Sequence, residues 1–446
     1  MIETLSILVH IFVITIFCYP PKYLLTLFSD DSKINIIEHL EIGIILNIFL
    51  LLILSFFFRQ ESNFIFYILL IIFLVNLFFF IKDLIDSIKL RKYLINPELL
   101  LLFFLVFVFA VDLSNNLRLG WDAQNYWLMK KLVFSDGGSI FDLKNAPMPE
   151  YPHLGSFIWF IYSKISILNY EYFGRIFYIY LFLVSIFSVS RIIKIHFFEF
   201  LLLTLSIIFL IYKINLFNGY QEIISFSLLI ILINNFYRLY NFRSSNYEIS
   251  KKNILIIITM SILIWIKNES TVLILICLLS FLMSRQFKIN FKILSILFIS
   301  VLLISKYFLF DYLELPHNIQ TGPYDNLKIE NLSEIISIKR FLLITKYLIF
   351  GFFEIIVYFL SIVLLVIMLK YNKINKFNIF LLHSFIFSII FLYSAYLLFP
   401  YPLHSILNIS LNRLMFQTSG FFIITIPLFY NFFLKKHVHK KKINIK

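Results

Sequence analysis

Residues 117–134 read LRLGWDAQNYWLMKKLVF, and the chemistry available in this stretch centres on Asp122. Trp121, Tyr126 and Trp127 flank it, just beyond a long apolar run. A carboxylate held among aromatic rings beside lipid loses hydration, which raises its pKa and suits it to accept a proton. Plainer roles stand beside this one. Aromatic residues commonly anchor a chain at the membrane–water boundary. Lys130 and Lys131 follow at helical spacing, and Lys130 could meet a phosphate headgroup or simply snorkel to water. Residues 149–157, PEYPHLGSF, come next. Pro149 and Pro152 restrict the backbone where the next helix begins, which is expected to bring Tyr151 and His153 back to the membrane surface.

Three further constellations carry ionisable groups. NGYQEI, residues 218–223, predicts a tight turn that Gly219 permits. Glu222 then either caps the following helix, where its charge favours the helix dipole, or faces the same cavity as Asp122. WIKNEST, residues 265–271, marks the meeting of two apolar runs. Lys267 and Glu269 are two apart and so do not share a helical face. They form a polar hairpin turn or reach different partners, and ionisable groups beside such runs are functional candidates. In YPLHSILNISLNRLMFQ, residues 401–417, Arg413 leads into the last apolar run and His404 precedes it. The Arg413 fork suits a phosphate, with snorkelling or a carboxylate pair as the structural alternatives. His153, His317 and His404 fall on the same predicted side as Asp122 and Glu222. They leave room for a divalent metal without assigning one, since their spacing is not that of a ligand motif. No P-loop, GxSxG elbow or HExxH site occurs.

The elements that must position these groups follow from hydropathy. Of 446 residues, 61% are hydrophobic and 14% charged, against roughly 25% charged residues in soluble domains. Each helical span needs about 20 apolar residues, and candidate runs lie at 5–28, 40–58, 64–81, 97–113, 172–190, 199–216, 223–237, 253–267, 270–284, 292–310, 343–369, 377–398 and 413–433. The expected fold is therefore an all-α polytopic membrane protein with about thirteen transmembrane helices, because lipid offers no partners to exposed backbone groups. The net charge of +14 does not call for nucleic acid. Its lysines and arginines sit in alternate short loops and in the tail at 435–446, as cytoplasmic ends do. That places 114–171, 217–222, the region around 268, 311–340 and 399–412 outside, and the N-terminus outside with them. Residues 151–168 are apolar enough to cross, but loop alternation favours a juxtamembrane or re-entrant helix. Met1-Ile2-Glu3 lacks the basic start of a signal peptide. Cys18 and Cys277 fall within apolar runs, against a disulfide framework.

In their order along the chain, GWDAQNYWLMKK, PEYPHLG, the FGR of YEYFGRIFYI, NGYQEI, KNES and SLNRLMFQ resemble motifs of the GT-C superfamily of membrane glycosyltransferases. The nearest likeness is to bacterial relatives of protein O-mannosyltransferases and aminoarabinose transferases, over about residues 97–430. The resemblance implies an extracytoplasmic first catalytic loop with juxtamembrane helices. It implies an inverting transfer of a sugar from a polyprenyl-phosphate donor to a glycan, lipid or protein acceptor outside the plasma (inner) membrane. Carried over, Asp122 is the general base and Glu222 the second acidic residue. Lys267 and Arg413 neutralise the leaving phosphate, and Trp121, Gln124, Lys130, Tyr151, His153, Glu269 and His404 line the substrate. Residues 1–96 are then accessory helices, 97–434 the catalytic module and 435–446 a basic cytoplasmic tail. The chain departs from the pattern with Glu in the second acidic turn, Ser270 after KNE, and no large outer C-terminal domain. The rival expectation is a transporter or flippase of lipid-linked glycans, which more often shows internal repeats and broken helices. A membrane scaffold would not require Asp122.

Overall fold

The computed structural model describes residues 2–28, 35–58, 63–89, 96–212, 216–241, 246–283, 289–316, 337–371, 375–397 and 403–433. Among these residues all regular structure is helical. The chain runs through α1 (Ile2–Phe17), α2 (Lys22–Leu25), α3 (Ile36–Phe57), α4 (Asn63–Lys89) and α5 (Pro97–Asn115). A π-turn (Ala123–Trp127), α6 (Leu128–Ser135), a 3-10 turn (Ile140–Asn145) and α7 (Leu154–Lys164) follow. Then come α8 (Glu171–Ser190), α9 (Phe197–Ile211), α10 (Glu222–Asn241), α11 (Asn246–Ile266), α12 (Asn268–Met283) and α13 (Ile289–Tyr312). The last are α14 (Ile338–Glu354), α15 (Ile356–Tyr371), α16 (Lys376–Leu397) and α17 (Asn412–Ser419). Local chemistry sets several boundaries. Asn35 and Asn96 cap α3 and α5, their side chains accepting from the backbone N–H of Glu38 and Glu98 at 2.8 Å each. Pro97 then opens α5, where a missing N–H costs nothing.

The chain is an all-helical, multi-pass membrane protein. Seven helices among the described residues are long and apolar enough to cross a bilayer, or eight if the α14–α15 pair is one span. This count differs from thirteen apolar runs for identifiable reasons. The run at 5–28 stops as a helix at Phe17, ahead of Pro20 and Pro21. The run at 343–369 is α14 and α15, bent by 94° between Glu354 and Ile356. The run at 413–433 is broken: α17 gives way at 420–424 to bonds of the tighter i→i−3 type, such as Phe422 N–H to Ser419 O at 2.9 Å, before a helix resumes at 425–433. The runs within 199–216, 253–267 and 270–284 form shorter apolar helices. Residues 151–168 contain only the 11-residue α7. At 1.5 Å per residue it is about 16 Å long, half a bilayer core.

Two compact units divide the chain. The first comprises Met1–Ser188, Lys213–Asn268 and Ile299–His317, and the second Val189–Tyr212, Glu269–Phe298 and Asn318–Lys446. The expected boundary at residue 96 does not coincide with either. In the first unit α8 is enclosed on all sides, whereas α4 is mostly exposed. The N-terminal helices are part of this core. His10 of α1 bonds the Phe173 carbonyl at 3.0 Å, and the Tyr162 hydroxyl donates to Asn47 of α3 at 2.8 Å. Fully buried Glu41 of α3 accepts from Arg238 at 2.9 Å, Asn235 at 3.2 Å and Asn234 at 3.3 Å, and from the Ser188 hydroxyl. Arg238 reaches Glu38 at 3.1 Å as well. Such a buried pair offsets its own desolvation only because further hydrogen bonds satisfy the carboxylate.

The first unit has two polar ends. At one lie Tyr19 and Lys22 on Asp83, His39 on Pro20, and Arg238 on Glu38. At the other lie the segments 116–156, 217–222 and 265–268, with the end of α13. These two sets match the alternate loops that charge separates in the sequence.

Candidate functional site

The second polar end gathers most of the sequence-flagged residues, and glycines make that possible. Gly120 N–H donates to Asn218 O at 2.9 Å, tying GWDA to NGYQEI across about a hundred residues. Gly219 takes φ of +88°, which a side chain would resist. A Cβ on it would lie 3.0 Å from Ala123 Cβ and 2.8 Å from the Trp159 ring. Gly155, of PEYPHLG, lies against Gln221, and Gly174, of FGR, against the Trp159 carbonyl. Arg175 is fully buried and grips Glu171 with both carboxylate contacts, at 2.9 and 2.8 Å. Its remaining N–H groups reach Phe217 O at 3.1 Å and Leu117 O at 3.4 Å, so one guanidinium joins three segments.

Asp122 is half-buried where the π-turn begins, and its side chain does not cap that turn. Trp121 is 64% exposed and meets the Tyr126 ring edge-on at 5.4 Å. Gln124 is exposed. The Tyr126 phenol is pushed above its ordinary pKa by partial burial, then by the charges of Asp122 and Glu150. Two carboxylates therefore act electrostatically on one tyrosine.

Behind this surface the site is enclosed. Lys130 does not snorkel: it is 0% exposed, its ammonium donating to Tyr151 O at 2.5 Å and lying 5.8 Å from the Trp127 ring centre. Burial pushes it down to about 7, with Glu150 opposing and Lys306 adding to the shift. Tyr151 is half-buried, its ring edge-on to Trp127 at 5.4 Å. His153 heads α7, inside rather than at a surface, and bonds the Ser55 hydroxyl of α3 at 2.8 Å. Burial, then Lys130 and Lys306, push it down to about 3, so it is neutral at physiological pH.

Glu222 and Lys267 form a buried ion pair at 2.9 Å, each side chain 5% exposed. The structure thus joins the second acidic residue to the lysine of KNES. The next residue, Asn268, donates to Glu150 O at 3.3 Å and accepts from Lys306 at 3.2 Å. Lys306 also donates to Ile264 O at 3.0 Å and lies over the Trp265 and Phe310 rings. Glu150 and Lys306 are the residues that sequence reasoning passed over. Lys306 had a signal, since a lysine inside an apolar run is costly unless it has partners. Glu150 is buried, with Oε1 lacking a hydrogen-bond partner among the described residues.

The other flagged residues belong to the second unit. Glu269 and Arg413 both act on the Tyr396 phenol, which bonds Ser410 at 2.9 Å. His404 is exposed, edge-on to Tyr347 at 5.5 Å and 3.2 Å from Asn408. His317 and the tail at 435–446 lie outside the described residues. Among the described residues no three His, Cys, Asp or Glu converge as a metal site.

One half-exposed carboxylate, backed by enclosed cations and fixed by rigid glycine contacts, can accept a proton from a hydroxyl placed at this end of the unit. Compared with models of protein families, with curated proteins and with solved structures, the chain matches none.

Proposed function

We propose that the chain is an inverting glycosyltransferase of the GT-C kind, moving a sugar from a polyprenyl-phosphate donor to an acceptor on the extracytoplasmic side of the plasma (inner) membrane. The observation that carries the reading is the junction of GWDA with NGYQEI. Gly120 bonds Asn218, and Gly219 sits against Ala123, so the turn bearing Asp122 rests on the turn leading to Glu222 and Lys267. In the proposed reaction the acceptor oxygen attacks the anomeric carbon and its proton passes to Asp122. The bond from that carbon to the phosphate oxygen breaks, and polyprenyl phosphate leaves with the electron pair. Lys267, buried beside Glu222, is the cation this reading gives to the phosphate.

The test compares cells lacking the gene, complemented with wild type or Asp122→Asn. Mass spectrometry of membrane lipids and surface glycans should show a sugar restored by wild type. The variant, equally abundant in membranes, should be about 10²–10⁴-fold slower and accumulate the unused lipid-linked sugar. Full restoration by the variant removes the general base and the reading with it. One observation favours transport in that event: the 94° bend between α14 and α15 is a broken-helix feature.

A further inference from the structure

We propose that the first unit holds one zwitterionic phospholipid of the ethanolamine kind, with an acyl chain in a cleft between α3 and α4 and its phosphate on Lys22 and Lys82. The site lies toward the other polar end of the unit from Asp122, and the inference is independent of glycosyl transfer. It begins with the way α1 stops. In a continuing helix the carbonyls of Ile16 and Phe17 would be bonded by residues 20 and 21, and both are prolines, without an N–H to give. The Asn76 amide of α4 donates to these two carbonyls instead, at 3.0 and 3.2 Å. On the other flank, Gly43 of α3 lets the chain approach so closely that a Cβ there would run into the Cys18 carbonyl and the Pro20 ring. Residues 18–21 are thus pinned between α3 and α4. Beside them remains a cleft of about 230 Å³, bounded by α3 from Gly43 to Leu50 and by α4 from Ile71 to Asn76. Along α3 that is about 10 Å at 1.5 Å per residue.

The walls say what fills the cleft. Phe17, Leu46, Leu50, Ile72 and Val75 offer hydrocarbon. The two asparagines are engaged away from it, Asn76 as above and Asn47 in accepting from Tyr162 at 2.8 Å. A cavity of this lining does not retain water. Both α3 and α4 are long and apolar enough to span, and Ile71 and Val75 at the open side are 60% and 40% exposed. The medium at that opening is lipid, so an acyl chain is the occupant. The proline end of the cleft supplies the rest of the site. Lys22 directly follows Pro21, and its side chain is 66% exposed and 2.8 Å from Asp83. An ammonium has three donors, so it can meet a phosphate while keeping that carboxylate. Lys82 is exposed and lies two turns beyond Val75 on the same face of α4. Exposed Tyr23 stands edge-on to Phe79 at 5.7 Å, where an interfacial aromatic belongs. The rim is balanced in charge, because Asp83 and exposed Asp86 stand against the two lysines. A net anionic headgroup gains little from such a rim. A headgroup carrying a phosphate and a primary ammonium is matched at both places, the phosphate by the lysines and the ammonium by Asp86.

The test offers the purified full-length protein, delipidated in a mild detergent, either phosphatidylethanolamine or phosphatidylglycerol of the same chains, and weighs it by native mass spectrometry. Wild type should retain one phosphatidylethanolamine per chain and hold phosphatidylglycerol about tenfold more weakly, the effect of one charge-assisted hydrogen bond. Val75→Trp, which fills the cleft from its open side, should lose the lipid at an unchanged unfolding midpoint. Ile71→Trp, at the far end of the cleft, replaces it if that variant fails to fold. Lys22→Gln leaves the cleft untouched and should weaken retention of phosphatidylethanolamine about tenfold. A wild type that retains no lipid overturns the site, and so does equal retention by wild type and the tryptophan variant, which marks annular lipid only. Equal retention of the two lipids, or an unaffected Lys22→Gln, overturns the headgroup assignment and with it the proposal.

Discussion

Glu222 shows how a residue's role is decided by its partner. At the start of α10 it has the position of a helix-capping carboxylate, yet its Oε1 accepts from Lys267 at 2.9 Å in a setting where both side chains are 5% exposed. Breaking a buried pair from one side leaves an uncompensated charge, at a cost of about 3–5 kcal/mol, whereas replacing both partners with apolar groups is often neutral. Glu222→Leu and Lys267→Met alone should therefore each lower the midpoint of thermal unfolding in detergent, and the double variant should recover most of the loss. If the pair also serves the reaction, the double variant stays inactive although stable. A double variant as unstable as the singles would show that the two side chains are not each other's main partner.

At the scale of elements, the fold depends on places where backbones approach too closely for a side chain. Gly174 puts α8 against the middle of α7, and an added Cβ would run into the Trp159 main-chain carbonyl, which cannot swing aside. Gly120 faces the Tyr220 ring, which can rotate away. Gly174→Ala should thus cost about 1–3 kcal/mol, as overpacked cores do, and Gly120→Ala less, read as the order of their unfolding midpoints. Equal midpoints would mean that α7 and α8 can separate without cost. The glycines were visible in the sequence as parts of motifs, but Gly174 is a mid-helix residue there, with nothing local to reveal its neighbour. Gly219 differs: its tight turn between two apolar runs was legible from NGYQ alone.

For the whole molecule the two polar ends of the first unit make a prediction about sidedness. Lys144 and Lys22 lie at opposite ends, each with an exposed ammonium in a surface ion pair of the kind that contributes little, so either can be replaced without harm to the fold. The native cysteines, Cys18 and Cys277, are buried and should be silent. A membrane-impermeant maleimide added to intact cells should label Lys144→Cys, and should label Lys22→Cys only after permeabilisation. Labelling of both in intact cells would contradict the two-ended arrangement, and the reverse pattern would invert the topology.

The sequence by itself determined that this chain is helical and lies in a membrane, because hydropathy acts through each run of residues separately and lipid admits few other backbone solutions. It also marked Asp122, Glu222 and Lys267 as costly where they stand. Tertiary structure alone decided what those charges meet. For Lys130 the sequence offers a headgroup contact or snorkelling to water, and neither anticipates its burial against the Tyr151 carbonyl. That Glu41, Asn47 and His10 of the N-terminal helices bond residues far along the chain is likewise visible only in the tertiary structure. The run at 343–369 looked continuous, since hydropathy does not record a bend between Glu354 and Ile356. Partners distant in sequence leave no local periodicity to read. A buried charge announces only that it needs a partner, and chain folding selects which one.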